Sequence, residues 1–138
     1  MSLNACMDGL KASLAAAFPA ATVQRDLPQD VMAIAAAKLQ AGVLCLVVDG
    51  GGDFGNYYGR EGELGHVQVN LIVFLQVAEN TAPSAIEVAE LNWLDSLLTW
   101  CGTGPFAPAS DVLPQDWTQS KQLEHPYGWL ILKLDVQF

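Results

Sequence analysis

His66–Ala78 reads H-V-Q-V-N-L-I-V-F-L-Q-V-A, and the two alternating sets within it decide how the chain is to be read. One set, Val67, Val69, Leu71, Val73, Leu75 and Val77, is aliphatic throughout. The other, His66, Gln68, Asn70, Ile72, Phe74, Gln76 and Ala78, is polar at both ends and apolar in the middle. Successive strand residues point to opposite faces, so this pattern predicts a strand with its first face in a core. The second face is too polar for a core and, at Ile72 and Phe74, too apolar for plain solvent. It points to a contact surface rather than to catalysis.

The last stretch of the chain, Tyr127–Phe138, repeats this signature. Leu130, Leu132, Leu134, Val136 and Phe138 form an aliphatic-to-aromatic face, and Trp129, Ile131, Lys133, Asp135 and Gln137 form a mixed one. Two strands with the same two faces are predicted to share a sheet, with helices beneath their common aliphatic side. Val43–Asp49 (V-L-C-L-V-V-D) is a continuous apolar run between Gly42 and Gly50, which suits a central strand buried on both faces. The simplest connection pairs it with His66–Ala78 as an antiparallel hairpin. The intervening loop holds Gly50, Gly51, Gly52, Gly55, Gly59, Gly62 and Gly65, and loops of that length are usually functional or disordered. Thr22–Asp26 alternates weakly and reads as a short edge strand.

Three helices are predicted. Leu3, Met7, Leu10, Leu14 and Phe18 recur at helical spacing until Pro19 ends the pattern. Leu27-Pro28-Gln29-Asp30 reads as a helix entrance with Pro28 in the first turn, leading into V-M-A-I-A-A-A-K-L-Q and a stop near Gly42. With only Lys38 charged after Asp30, this helix is expected to lie largely against protein. Ser84 and Glu87 have capping-box spacing after Pro83; Ile86, Ala89, Trp93, Leu94, Leu97 and Trp100 mark the apolar face, and Gly102 is the expected stop. Gly102–Asp116, with Pro105, Pro108 and Pro114, reads as an irregular connection in which Val112-Leu113 touches a sheet edge. The expectation is one α+β domain over residues 1–138. Its sheet is mixed, mostly antiparallel and of about four strands, with helices on one face in the order α-β-α-β-β-α-β.

A chain of 138 residues buries enough surface to hold a core without disulfides or metals. At 51% hydrophobic and 15% charged it is not disordered over most of its length, and it has few charges with which to cover a small monomer. Buried subunit contacts would relieve that shortage. The formal charge of −9, from 6 Lys+Arg against 15 Asp+Glu, leaves too few cations for a phosphate-binding stripe, so direct nucleic-acid binding is not expected. No apolar run approaches the ~20 residues of a membrane helix, and Asp8 and Lys11 interrupt the place where a secretory signal would lie. Cys6, Cys45 and Cys101 are odd in number and widely spaced, which suits reduced thiols in a cytoplasm better than a disulfide framework or a zinc site.

Candidate chemistry is sparse. The glycine-rich loop lacks G-x-x-x-x-G-K-[ST]; its one cation is Arg60, and Asp53, Glu61 and Glu63 would repel a phosphate. Those acids, with Asp49, lack the D-x-[DN]-x-[DN]-G run of a calcium loop, so no metal is expected. No serine sits in G-x-S-x-G. His66 begins a strand, and Glu124-His125 precedes Pro126 with adjacency but no catalytic geometry. The reading is therefore non-enzymatic, without cofactor. Trp93 and Trp100 read as core. Trp129 and Ile131, with Ile72 and Phe74, are expected to form an apolar patch on the sheet face, and Tyr57 and Tyr58 in the loop are further contact candidates.

In element order and local pattern the chain resembles the phage tail-terminator, or tail-completion, proteins, particularly small ones encoded in Mu-like prophages. The stretches that carry the resemblance are L-K-A-S-L-A-A-A-F, T-V-Q-R-D, V-L-C-L-V-V-D, the Gly-rich hairpin, H-V-Q-V-N-L-I-V-F-L-Q-V, W-L-D-S-L-L-T-W and W-L-I-L-K-L-D-V-Q-F. The resemblance implies a non-enzymatic α+β subunit that closes into a homo-oligomeric ring, typically a hexamer, on the tail tube. There it would contact the tail-tube protein and a head-completion protein, first in the host cytoplasm and then in the virion tail. The alternative is a small cytoplasmic module that binds a peptide or apolar ligand on its mixed sheet face. A hydrolase using scattered His and Asp residues ranks third.

Overall fold

The computed structural model describes residues 3–52 and 65–137. In chain order these form α1 (Leu3–Ala17), β1 (Thr22–Gln24), a 3-10 turn (Val31–Ala33), α2 (Ala36–Ala41), β2 (Val43–Gly52), β3 (His66–Gln76), α3 (Ser84–Thr103), β4 (Asp111–Gln119) and β5 (Tyr127–Gln137). The fold is α+β, with one mixed sheet in the order β1-β2-β3-β5-β4. Only β1–β2 is parallel; every other pairing is antiparallel.

β3 and β5 pair along their whole length, placing Val69 opposite Leu134, Leu71 opposite Leu132 and Val73 opposite Leu130. Both strands alternate buried residues with more accessible ones, which are half-buried except for the exposed Lys133 of β5. Their aliphatic sets meet Leu10 and Leu14 of α1 and Ile86, Leu94, Leu97 and Trp100 of α3 in the main core. The two helices are joined by a hydrogen bond from Trp100 Nε1 to Ser13 Oγ at 2.9 Å. Arg25, just past β1, reaches Asp8 and Asn4 on α1, each at 3.2 Å.

Several expectations are corrected. The sheet has five strands, because Asp111–Gln119 is a strand paired with β5 and not an irregular connection. Proline lacks the ladder donor, but β4 is an edge strand and a register irregularity follows Pro114, the two settings in which a strand tolerates it. β2 is second from the edge rather than central, and only Val43–Leu46 is buried on both faces. The capping box does not form: Ser84 is the first helical residue, Pro83 precedes it in helical geometry without a side-chain cap, and Glu87 accepts a hydrogen bond from Gln122 instead. α3 runs past Gly102 to Thr103, and Gly104 (φ 64°) ends it by donating its N–H to the Trp100 carbonyl.

The second helix differs most. Pro28 lies outside it, and Asp30 caps a short 3-10 turn by accepting from Met32 N–H. Ile34 and Ala35 are extended before α2 begins. The segment is mostly exposed, with Met32 at 64%; Leu39 alone is fully buried. It also lies on the face opposite α1 and α3, since Leu39 packs with Val43, Cys45, Ile72, Phe74 and Tyr127. Parallel strands require a crossover, and the connection from β1 to β2 runs over the face that the other two helices leave open. Helices therefore lie on both sides of the sheet.

Candidate functional site

The mixed faces of β3 and β5 coincide. Phe74 stands opposite Trp129 and Ile72 opposite Ile131, so the four residues expected to form a patch do adjoin one another. Leu27, Pro28 and Val31 close one side, and the whole makes a shallow, mainly apolar groove of about 380 Å³. The wall belongs to the β1–β2 crossover, just before and at the start of the 3-10 turn, and gives the patch its concavity. Tyr57 and Tyr58 fall outside the described residues.

Further along the same face the surface turns polar, as the alternation predicts. His66 Nδ1 lies 2.9 Å and 3.1 Å from the two carboxylate oxygens of Asp135, and Gln68 Nε2 donates to Asp135 Oδ1 at 3.1 Å. Asp135 thus receives the polar ends of two β3 side chains and ties this half of the sheet together. A His–carboxylate pair can serve as a proton relay when a nucleophile lies against the other ring nitrogen. The described residues lining the adjacent depression are Gly51, Gly52, His66, Gln68 and Asp135. His125, the other histidine, lies 3.4 Å from the Thr81 hydroxyl. Among the described residues no group of three or more His, Cys, Asp or Glu side chains is placed to hold a metal ion.

One residue behind the patch escaped the sequence reading. Glu90 of α3 is completely buried, accepting from Ser120 Oγ (2.6 Å), Trp129 N–H (3.0 Å) and Gln119 Nε2 (3.3 Å). A residue's N–H and C=O point the same way in an antiparallel ladder. Trp129 C=O accepts from Ser120 N–H, but its own N–H faces the place where β4 has turned away, and Glu90 supplies the missing acceptor. Gly128 makes the approach feasible: a Cβ there would meet Ile86 Cγ2 at 2.6 Å and Glu90 Oε2 at 3.0 Å. Trp129 is therefore held by its backbone from one side of the sheet while its side chain lines the groove on the other. A glycine inside a strand pattern signals close approach by another element, and Gly128 was the available hint.

The cysteines sit in the cores. Burial pushes the thiols of Cys45 and Cys101 up to about 11, and that of Cys6 upward, which suppresses the reactive thiolate. All three are free thiols. No helix among the described residues is long and apolar enough to cross a membrane. Comparison with protein-family models and with curated proteins finds no match to the chain.

Proposed function

We propose that this chain is a non-enzymatic assembly subunit of a phage or prophage tail, acting as a tail terminator. In this reading it forms a homo-oligomeric ring on the last layer of the tail tube and presents a surface to the head-completion protein. The observation that carries the proposal is the groove formed by Ile72, Phe74, Trp129 and Ile131 with the Leu27–Val31 wall. A concave apolar surface on a charge-poor chain is suited to bind another protein. The α+β class is the one that the resemblance implies, although β4 adds a strand to the expected order. A ring also needs two different patches on each subunit, of which the groove would be one.

The test is tube-length control. The tail-tube protein encoded with this chain is polymerised with and without it, and tubes are measured by electron microscopy. Short tubes capped by extra density are expected; tubes of unchanged length carrying no bound chain defeat the proposal. The same groove also supports the second reading, a small module binding a peptide or apolar ligand. That reading gains if a hydrophobic peptide protects the groove from hydrogen exchange while tubes remain uncapped.

A further inference from the structure

Toward the hairpin end of β2 and β3, the core side of the sheet runs out of side chains. Cross-strand neighbours on that side read Leu46–Leu71–Leu132, then Val48–Val69–Leu134, then Gly51–Val67–Val136. Paired residues share a face, so the rows shrink from leucine to valine to glycine. A Cβ at Gly51 would meet the His66 carbonyl oxygen at 2.5 Å, so this position can supply no side chain. Over the last row the start of α1 brings Leu3, Cys6 and Met7, and a cavity of about 190 Å³ lies between helix and sheet. Cys6 and Met7 are fully buried at its inner end. Leu3 and Val48 are 49% and 48% exposed, so the cavity reaches the surface past these two.

We propose that this cavity is a binding site for a small, uncharged, apolar ligand that presents a single aromatic ring. The site lies on the opposite side of the sheet from the Ile72–Phe74–Trp129–Ile131 groove and does not rest on the tail reading. Its size admits such a ring: an apolar cavity of about 150 Å³, engineered in another protein, stays dry and takes up benzene. Its lining selects against charge. No Asp, Glu, Lys or Arg is among the described lining residues, which are otherwise aliphatic, sulfur-bearing or glycine apart from His66. The His66 ring is engaged by Asp135 at 2.9 Å, and burial raises the Cys6 thiol and so keeps it neutral. A charged or strongly polar ligand would give up its hydration there for few partners. Met7 and Cys6 put two sulfur atoms in the wall, and sulfur makes favourable contacts with aromatic ring edges, which favours a ring over an aliphatic chain. A bound ring would touch α1, β2, β3 and β5 together and tie the start of the helix to the hairpin end.

The experiment titrates benzene into the full chain, with phenol as its polar counterpart, and follows the methyl resonances of Leu3, Met7, Val48, Val67 and Val136 by NMR. Saturable shifts at these methyls are expected, with a Kd of about 1 mM or tighter and a Tm that climbs with benzene concentration. Phenol is expected to bind about tenfold more weakly or not at all, because its hydroxyl finds no ready partner. Absence of saturable binding, phenol binding as tightly as benzene, or shifts confined to Ile72 and Ile131 in the groove would each overturn the inference. Cys6→Phe places a ring of the chain's own in the cavity and should weaken benzene about tenfold or more, whereas unchanged affinity overturns the inference. Should Cys6→Phe fail to fold, Val48→Phe at the half-exposed rim carries the same expectation and the same overturning result.

Discussion

Leu71 and Ile72 are neighbours in one strand, yet Leu71 is fully buried in the core with α1 and α3, whereas Ile72 stands half-buried at the groove. The same contrast runs along β5, between Leu132 on one face and Ile131 on the other. The first face is covered by two long helices and is aliphatic from end to end. Among the described residues the second is covered by a short crossover segment, which hides Val43 and Cys45 and leaves Trp129 and Ile131 half-buried. One face thus carries stability, and the other has apolar surface to spare for a partner.

The largest effect that tests this division is expected from Leu71→Ala, which should cost about 2–5 kcal/mol by chemical denaturation. If Ile131→Ala cost as much, the faces would not differ as described. Next is Glu90→Ala, which strands the Trp129 N–H and the Ser120 hydroxyl and should cost about 2–3 kcal/mol. Glu90→Gln retains an acceptor and should cost less; equal losses would mean that packing around Glu90, not hydrogen bonding, dominates.

Thiol titration compares the two covers. Folding raises the Cys45 and Cys101 values from 9.0 to about 11, so the folded state holds these protons more tightly. The resulting stability is fully present below pH 9 and lost as pH rises through about 11, amounting to roughly 2–3 kcal/mol for each thiol. Denaturation of Cys101→Ala across that window should show a shallower loss. At neutral pH, Cys45 beneath the short α2 should react with a thiol reagent sooner than Cys101 on the core side of the long α3, because short elements open locally. The reverse order would show α2 to be the firmer element. The smallest expected change in stability is that of Ile131→Ala, about 1 kcal/mol or less, accompanied by a clear loss of self-association and tube capping.

What could be read without coordinates follows local periodicity. The twofold alternation of β3 and β5 announced their strands, their shared sheet, and the Ile72–Phe74–Trp129–Ile131 patch. β4 was hidden because Pro114 and a register irregularity break alternation, and its edge position leaves most of its residues exposed on both sides. The second helix was misread because its alanines favour helix, while Ile34 and Ala35 adopt extended geometry in the crossover. Glu90 was invisible: one acid within a helical pattern looks solvent-facing unless its donors on a distant turn are known.

The amino-acid sequence by itself determined which residues alternate, where the main helices run, and that the chain is short of charge. Only the tertiary structure decided that a crossover walls the open face into a groove, that Glu90 anchors Trp129 from behind, and that a cavity lies beneath the start of α1. The first set depends on the geometry of neighbouring residues, which repeats every two or 3.6 positions. The second depends on which distant groups meet, and no local period records that.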